Sequence, residues 1–390
     1  MGNGSNGLTR PFSLYGHISK EKFKQIKEFS KDKQTPFLVL DLERIKGKYD
    51  ELAKNFPQVK VYYAVKANPD QRVLSELAAK GSHFDIASRQ ELDLLLGLGI
   101  AAERMSYGNT IKKAEDIRYA YDKGIRLFAT DCESDVRKLG ENAPGSNVFF
   151  RLLVSNRGAD WPLSKKFGTK KEHIMELIDE ADEQGLVPYG VSFHVGSQQR
   201  DPTQWDYPLE QCAQIFADAK AKGIELKMIN LGGGLPASYL VATPPIESYS
   251  QAIFESLHRH FPAGLPELFT EPGRSLVADA GVIVSEVVLV SRKAHRKWCY
   301  LDVGLFGGLI ETLEEAIKYP IYCEKPGKLV KMTLAGPTCD STDVMYKKSS
   351  LPEDIAEGDK VYLLTAGAYT ITCSCNGFNG FPPLAVCYLD

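Results

Sequence analysis

From Thr35 to about Ala280, short apolar runs alternate with longer stretches whose apolar residues fall at helical spacing, and this alternation constrains the fold more than any other feature of the chain. The candidate strands are Phe37–Leu40, Val59–Val65, His83–Ile86, Met105–Tyr107, Leu127–Thr130, Val148–Leu153, Tyr189–His194, Met228–Leu231 and Leu268–Glu271. Between them lie segments such as Leu92-Leu95-Leu96 and Ile174-Leu177-Ile178-Ala181, which put apolar side chains on one helical face. Roughly eight such repeats in about 240 residues predict an α/β protein built on a (β/α)8 barrel, with its working site at the carboxyl ends of the strands.

After Gly281 the helical period fades. Runs such as Val282-Ile283-Val284, Glu286 to Val290, Leu329 to Leu334 and Lys360 to Leu364 predict a second, mostly β domain. The expected division is residues 35–280 for the barrel and residues 1–34 plus 281–390 for the β-rich domain, with Phe12–Tyr15 as an added strand. At 390 residues the chain can bury two cores. A net charge of −3 gives no electrostatic footprint for nucleic acid, and no run approaches a membrane span. The polar, glycine-rich start from Met1 to Arg10 lacks the apolar stretch of a signal peptide. Eight scattered cysteines suit a reducing cytoplasm, and Cys373 and Cys375 stand too close for a zinc pair, so no metal is expected.

Within this frame, Lys66 ends the apolar run from Val59 and immediately precedes the turn signal Asn68-Pro69. A lysine at a barrel strand's carboxyl end points into the mouth of the fold, where partial burial lowers the amine's pKa and leaves a nucleophile for a carbonyl group. The plainer reading is a surface lysine. Other strand ends carry comparable chemistry. Gly232-Gly233-Gly234 offers backbone amides to an anion, or simply a tight turn. His194 stands close to Ser197, and Glu271-Pro272-Gly273-Arg274 joins a carboxylate to a guanidinium that can grip phosphate in two places, or forms an ion pair. In the β-rich part, Gly336 to Asp343 places Cys339, Asp340 and Asp343 in one loop, and Gly367-Ala368-Tyr369 puts a phenol beside a flexible turn.

Taken in order, Tyr63 to Asn68, Phe84 to Ser88, His194 to Ser197, the glycine triplet, Glu271 to Arg274, Gly336 to Asp340 and Gly367 to Tyr369 resemble the motifs of the ornithine decarboxylase family. That family comprises pyridoxal phosphate decarboxylases of the alanine-racemase fold. The resemblance implies that Lys66 tethers pyridoxal 5'-phosphate, His194 stacks on its ring and Glu271 meets its ring nitrogen. Ser197, Gly233, Gly234, Arg274 and Tyr369 would hold the phosphate, with Asp85, Glu91 and Arg151 around the cofactor and lysine. Cys339 would act across a homodimer interface as proton donor, and Asp340 would help bind the distal ammonium of the substrate. A racemase of this fold would instead show an arginine at the ring nitrogen.

Diaminopimelate decarboxylases share the lysine, histidine, glycine and Glu-Pro-Gly-Arg motifs, but Cys339-Asp340-Ser341 and Arg89-Gln90 depart from their pattern. The resemblance therefore implies decarboxylation of ornithine to putrescine, with lysine as a second substrate. Other amino acids (diaminopimelate, arginine, a carboxylated polyamine, an N-acylated ornithine) and a non-catalytic regulatory homologue stand as alternatives. Where the family offers an aspartate to the distal ammonium, this chain has Glu311, Glu314 and Glu315; Glu315 falls nearest the matching place, but a short helix there can turn any of the three inward, Glu311 included. One methylene is worth only about 1–3 kcal/mol of discrimination, so dual specificity is expected.

Overall fold

The computed structural model describes residues 13–161 and 166–389; Met1 to Phe12, including the start of the expected extra strand, lie outside them. Two compact units emerge. One comprises Lys46–Pro236 with Pro244–Gly273; the other takes the described residues up to Ile45, Ala237–Thr243 and the chain from Arg274 onward.

Eight parallel strands close the first unit into a barrel, in the order Val59–Ala64, His83–Ile86, Met105–Tyr107, Leu127–Thr130, Asn147–Arg151, Val187–Ser192, Met228–Asn230 and Glu267–Thr270. The last pairs back to the first, with Leu268 opposite Val59. Tyr62, Ala129, Phe149, Met228 and Phe269 form one buried cluster, and because they come from five strands around the ring they fill its interior. Helices cover the outside as their periodicity requires. In Lys171–Glu183 the residues Ile174, Leu177, Ile178 and Ala181 are all buried. Ser88 caps Arg89–Gly97 by accepting the Glu91 N–H, and Asp70 caps Gln71–Ala79 through the N–H groups of Arg72 and Val73.

Eight strands make the main sheet of the other unit. Its central path runs Ile321–Cys323, Lys360–Leu364, Gly281–Lys293, Arg296–Leu301, Leu329–Ala335 and Val344–Pro352. Phe37–Asp41, expected as a barrel strand, belongs here instead: it pairs antiparallel with Gly281–Val284 and parallel with Ala385–Leu389. Its residues Phe37 to Leu40 are buried without alternation, as in a barrel strand, so the pattern identifies a strand but not its partners. Helix Lys20–Phe29 lays Phe23 and Ile26 on this sheet against Val39, Val284 and Tyr362. Leu14–Gly16 is a short 3-10 turn rather than a strand.

Candidate active site

Lys66 occupies a single 3-10 turn, Val65–Ala67, at the carboxyl end of the first barrel strand. Its neighbours Val65 and Ala67 are fully buried and anchor the backbone, while half of the lysine side chain stays accessible. The amine donates to Asp85 Oδ2 at 3.2 Å, and Asp85 is itself buried at the next strand, where Ser106 donates to its other oxygen at 3.4 Å. Glu91 completes this wall. Its Oε2 accepts the Ala87 N–H at 2.6 Å, and burial raises its pKa while Lys66 pulls it down.

Across the barrel mouth, His194 Nδ1 accepts the Gly196 N–H at 3.0 Å, which leaves the proton of the neutral ring on Nε2. Burial drives the His194 pKa down to about 3, reinforced by Arg151 and Lys66, so the ring is uncharged at neutral pH. Glu271 follows the last strand. Its Oε1 accepts from Asn230 Nδ2 at 2.5 Å, and Asn230 Oδ1 accepts the Gly232 N–H at 2.9 Å. Burial, with repulsion from Asp85, raises the Glu271 pKa to about 7 against the pull of Lys66, Asn230 and Arg151. Arg151 ends its strand with the guanidinium 4.9 Å from the Phe167 ring centre. Lys66, Asp85, Arg151, His194 and Glu271 thus form one electrostatic cluster at the strand ends, where the barrel topology puts such a site.

Beside this cluster the Gly232–Gly234 turn has no room for side chains. A Cβ would lie 2.0 Å from Phe193 O at Gly232, 2.8 Å from Glu271 O at Gly233, and 2.7 Å from Gly196 O at Gly234. Gly232 and Gly234 also have positive φ, of +66° and +111°. Ser197 opens a short strand, Ser197–Gln199, paired antiparallel with Ala159–Trp161.

In the sheet unit, Arg274 is buried. Its Nη1 and Nη2 donate to the two carboxylate oxygens of Glu311 at 2.7 and 2.5 Å, and Nη1 also donates to Tyr239 Oη at 2.9 Å. Its guanidinium lies 4.8 Å from the ring centre of Tyr369. The three glutamates expected near the distal ammonium therefore separate. A kink at Leu313 and Glu314 breaks the 3-10 segment Ile310–Glu315, turning Glu311 inward onto Arg274 and leaving Glu314 exposed. Glu315 accepts the Lys347 backbone N–H at 2.9 Å. Cys339 and Asp340 are exposed in their loop, Asp340 accepting from Thr342 N and Oγ1. The loop's other carboxylate, Asp343, is buried and accepts from Thr338 and from the Leu305 N–H.

Three residues escape the motif reading. Asn230 was hidden inside an apolar run, although a polar side chain two residues before a glycine turn is a usable signal. Gly108 is demanded by Asp85, whose Oδ1 would lie 1.9 Å from a Cβ there. Tyr239 emerges only from tertiary contacts, whereas Asp343 was legible as a loop carboxylate and only its buried position was not.

The fold and this donor set define a pyridoxal phosphate enzyme of the barrel class. The chain belongs to the pyridoxal-dependent decarboxylases, the model of whose pyridoxal binding domain matches residues 42–278. A lysine/ornithine decarboxylase of Selenomonas ruminantium is 34% identical over 92% of this chain and 90% of its own length. The ornithine decarboxylase of Schizosaccharomyces pombe is 32% identical over 91% of this chain and 83% of its own. A Vibrio vulnificus lysine/ornithine decarboxylase solved with putrescine superposes with a TM-score of 0.86 at 30% identity, over 96% of this chain and 99% of that one. The residues present fit the cofactor: an amine, a buried acid and a turn kept clear of side chains suit a pyridine aldehyde carrying a phosphate.

Proposed function

We propose that this enzyme decarboxylates L-ornithine to putrescine and carbon dioxide, accepts L-lysine to give cadaverine, and works in the cytoplasm as a homodimer. The observation that carries the reading is Glu271, a buried carboxyl held by Asn230 in the same cluster as Lys66. An acid at the ring nitrogen favours loss of carbon dioxide, whereas a racemase would present an arginine there.

When bound, pyridoxal 5'-phosphate supplies an electron sink for the pair released as carbon dioxide leaves. Lys66 would hold it, and Asp85 balances the charge of the free lysine ammonium. Neutral His194 would cover the ring without adding charge. Glu271 would hold the ring nitrogen's proton, and the Asn230 bond to its Oε1 leaves the other oxygen to do so. Ser197, Gly233 and Gly234 on the barrel supply phosphate donors, and Arg274 and Tyr369 are assigned to the same anion by their motif positions. The exposed thiol of Cys339, acting from the partner chain, returns a proton to Cα, and Asp340 receives the distal ammonium. Glu315 stands as a second acid for that ammonium.

Carbon dioxide release from ornithine, lysine, arginine, diaminopimelate and N-acetylornithine tests the assignment. The expected order puts ornithine and lysine first, and preferential turnover of any other acid overturns it. The loaded protein is expected to show a visible absorption band that Lys66→Ala abolishes.

A further inference from the structure

Arginine cannot shed its proton inside a protein, so a buried guanidinium needs an anion at all times. Arg274 is only 3% exposed, and its partner Glu311 is almost as deeply buried, at 7% of the side chain. Both Glu311 oxygens are engaged in a parallel two-bond fork, with Tyr239 adding a third acceptor. Buried Tyr239 and Tyr319 stack edge to face near the pair, and burial pushes both phenols well above their ordinary pKa. In such low-dielectric surroundings the attraction within the fork is larger than in a surface ion pair, and removing one partner leaves the other charge buried and uncompensated.

We infer that Glu311 is a positioning residue for the cofactor's phosphate: it is the resident counter-charge of Arg274, aiming the guanidinium and offsetting its positive charge, rather than a ligand of the substrate's distal ammonium. The inference rests on the reading that Arg274 binds the phosphate. Two consequences follow from the electrostatics. Without the Glu311 charge, the cofactor-free chain buries an uncompensated cation and loses stability. The phosphate then becomes the principal anion of Arg274, so it gains a larger share of the binding free energy.

The test compares pyridoxal 5'-phosphate with pyridoxal, which differs only by the phosphate. In Glu311→Gln the cofactor-free protein is expected to melt several degrees lower. Its preference for pyridoxal 5'-phosphate over pyridoxal should rise roughly tenfold, because a nearby negative charge has gone. The KM for ornithine at saturating cofactor should change less than about threefold, within the scatter of remote changes. Glu311→Asp, which keeps the charge, should restore most of the wild-type preference. An unchanged preference with a KM raised tenfold or more would return Glu311 to the substrate and sink the inference. An unchanged preference with lower melting would reduce Glu311 to a structural role and sink it equally. Arg274→Gln is the control: if it leaves the preference untouched, the phosphate reading itself fails. Should Glu311→Gln not fold, the double variant Arg274→Gln/Glu311→Gln decides, since removing both charges should restore folding, and its failure to fold overturns the pairing.

Discussion

Asn230 and Glu271 are locked to one another across adjacent barrel strands: the amide nitrogen donates to one carboxyl oxygen, while the amide oxygen accepts the Gly232 N–H. That second bond removes the ambiguity of which way the amide faces, because only its oxygen can take an N–H. Glu271 therefore has one oxygen committed as an acceptor, and a proton on the neutral acid sits on the other. The same asparagine ties the orientation of the acid to the glycine turn, the two elements proposed above for the ring and the phosphate.

Replacing Asn230 with leucine should uncouple them. The carboxyl loses the one donor that holds it and lowers its pKa, and the Gly232 N–H loses its acceptor. A buried acceptor left without its partner costs about 1–3 kcal/mol. Turnover of the loaded enzyme is expected to fall roughly tenfold or more on that scale, with KM nearly unchanged. Steady-state kinetics at saturating cofactor check this, and a raised KM with intact kcat would contradict it.

The two perturbed groups predict opposite pH dependences in the cofactor-free protein. Glu271 has a folded pKa of about 7, above the ordinary 4.5, so its protonated form is favoured by folding. The stability this contributes is complete below pH 4.5 and is lost as pH rises towards 7. His194 is depressed to about 3 from 6.5, so its neutral form is favoured, and that contribution is complete above 6.5 and lost as pH falls. Glu271→Gln should accordingly gain stability over wild type on going from pH 5 to pH 8, by on the order of 1–3 kcal/mol. His194→Gln should lose relative stability over the same interval. Thermal melts of both variants at the two pH values give the signs directly.

Gly108→Ala isolates the lysine's counter-ion. Gly108 does not have a left-handed backbone, so the effect is steric: the new methyl would stand 1.9 Å from Asp85 Oδ1 and must displace it. Overpacking of this kind typically costs about 1–3 kcal/mol. The displaced carboxylate no longer meets Lys66 at 3.2 Å. A kcat/KM lowered roughly tenfold to a hundredfold is expected, with the folded far-ultraviolet spectrum retained. Full activity in this variant would show that the Lys66–Asp85 pair is dispensable.

Much of this was legible before any coordinates. Eight of the nine apolar runs are barrel strands within two or three residues of their expected ends, because a buried parallel strand is a short β-branched and aromatic run between turn signals. Phe37–Leu40 has the same appearance and a different destination, since burial on both faces looks alike in a barrel and in a sheet. Lys66, His194 and Glu271 were visible as polar residues ending such runs. Asn230 was not, because it lies within an apolar run and only its partner at the end of the adjacent strand explains it. Glu311 was visible as an acid but not as an arginine's partner: the kink at Leu313 and Glu314, with Glu314 at φ 55°, lies outside any helical or strand period.

Lys112 supplies a last expectation, about stability rather than chemistry. It is wholly buried beyond the end of a barrel strand, and its ammonium donates to Asn109 O at 3.0 Å, Ala129 O at 2.7 Å and Asp135 Oδ2 at 2.7 Å. All three donors of the ammonium are thus satisfied, yet only Asp135 offers a full opposing charge in direct contact. Burial works to lower the pKa of Lys112, and Asp135 opposes it. Asp135→Ala removes that charge and leaves a buried cation on two carbonyls, which should destabilise the barrel by about 3–5 kcal/mol. The pair Lys112→Met/Asp135→Leu removes both charges at similar volume and should recover most of that loss, since well-packed apolar replacements of a buried ion pair are often neutral. Urea unfolding of the single and double variants measures both. A double variant no more stable than Asp135→Ala would mean that the two carbonyl bonds, rather than the charge pair, hold this part of the barrel together.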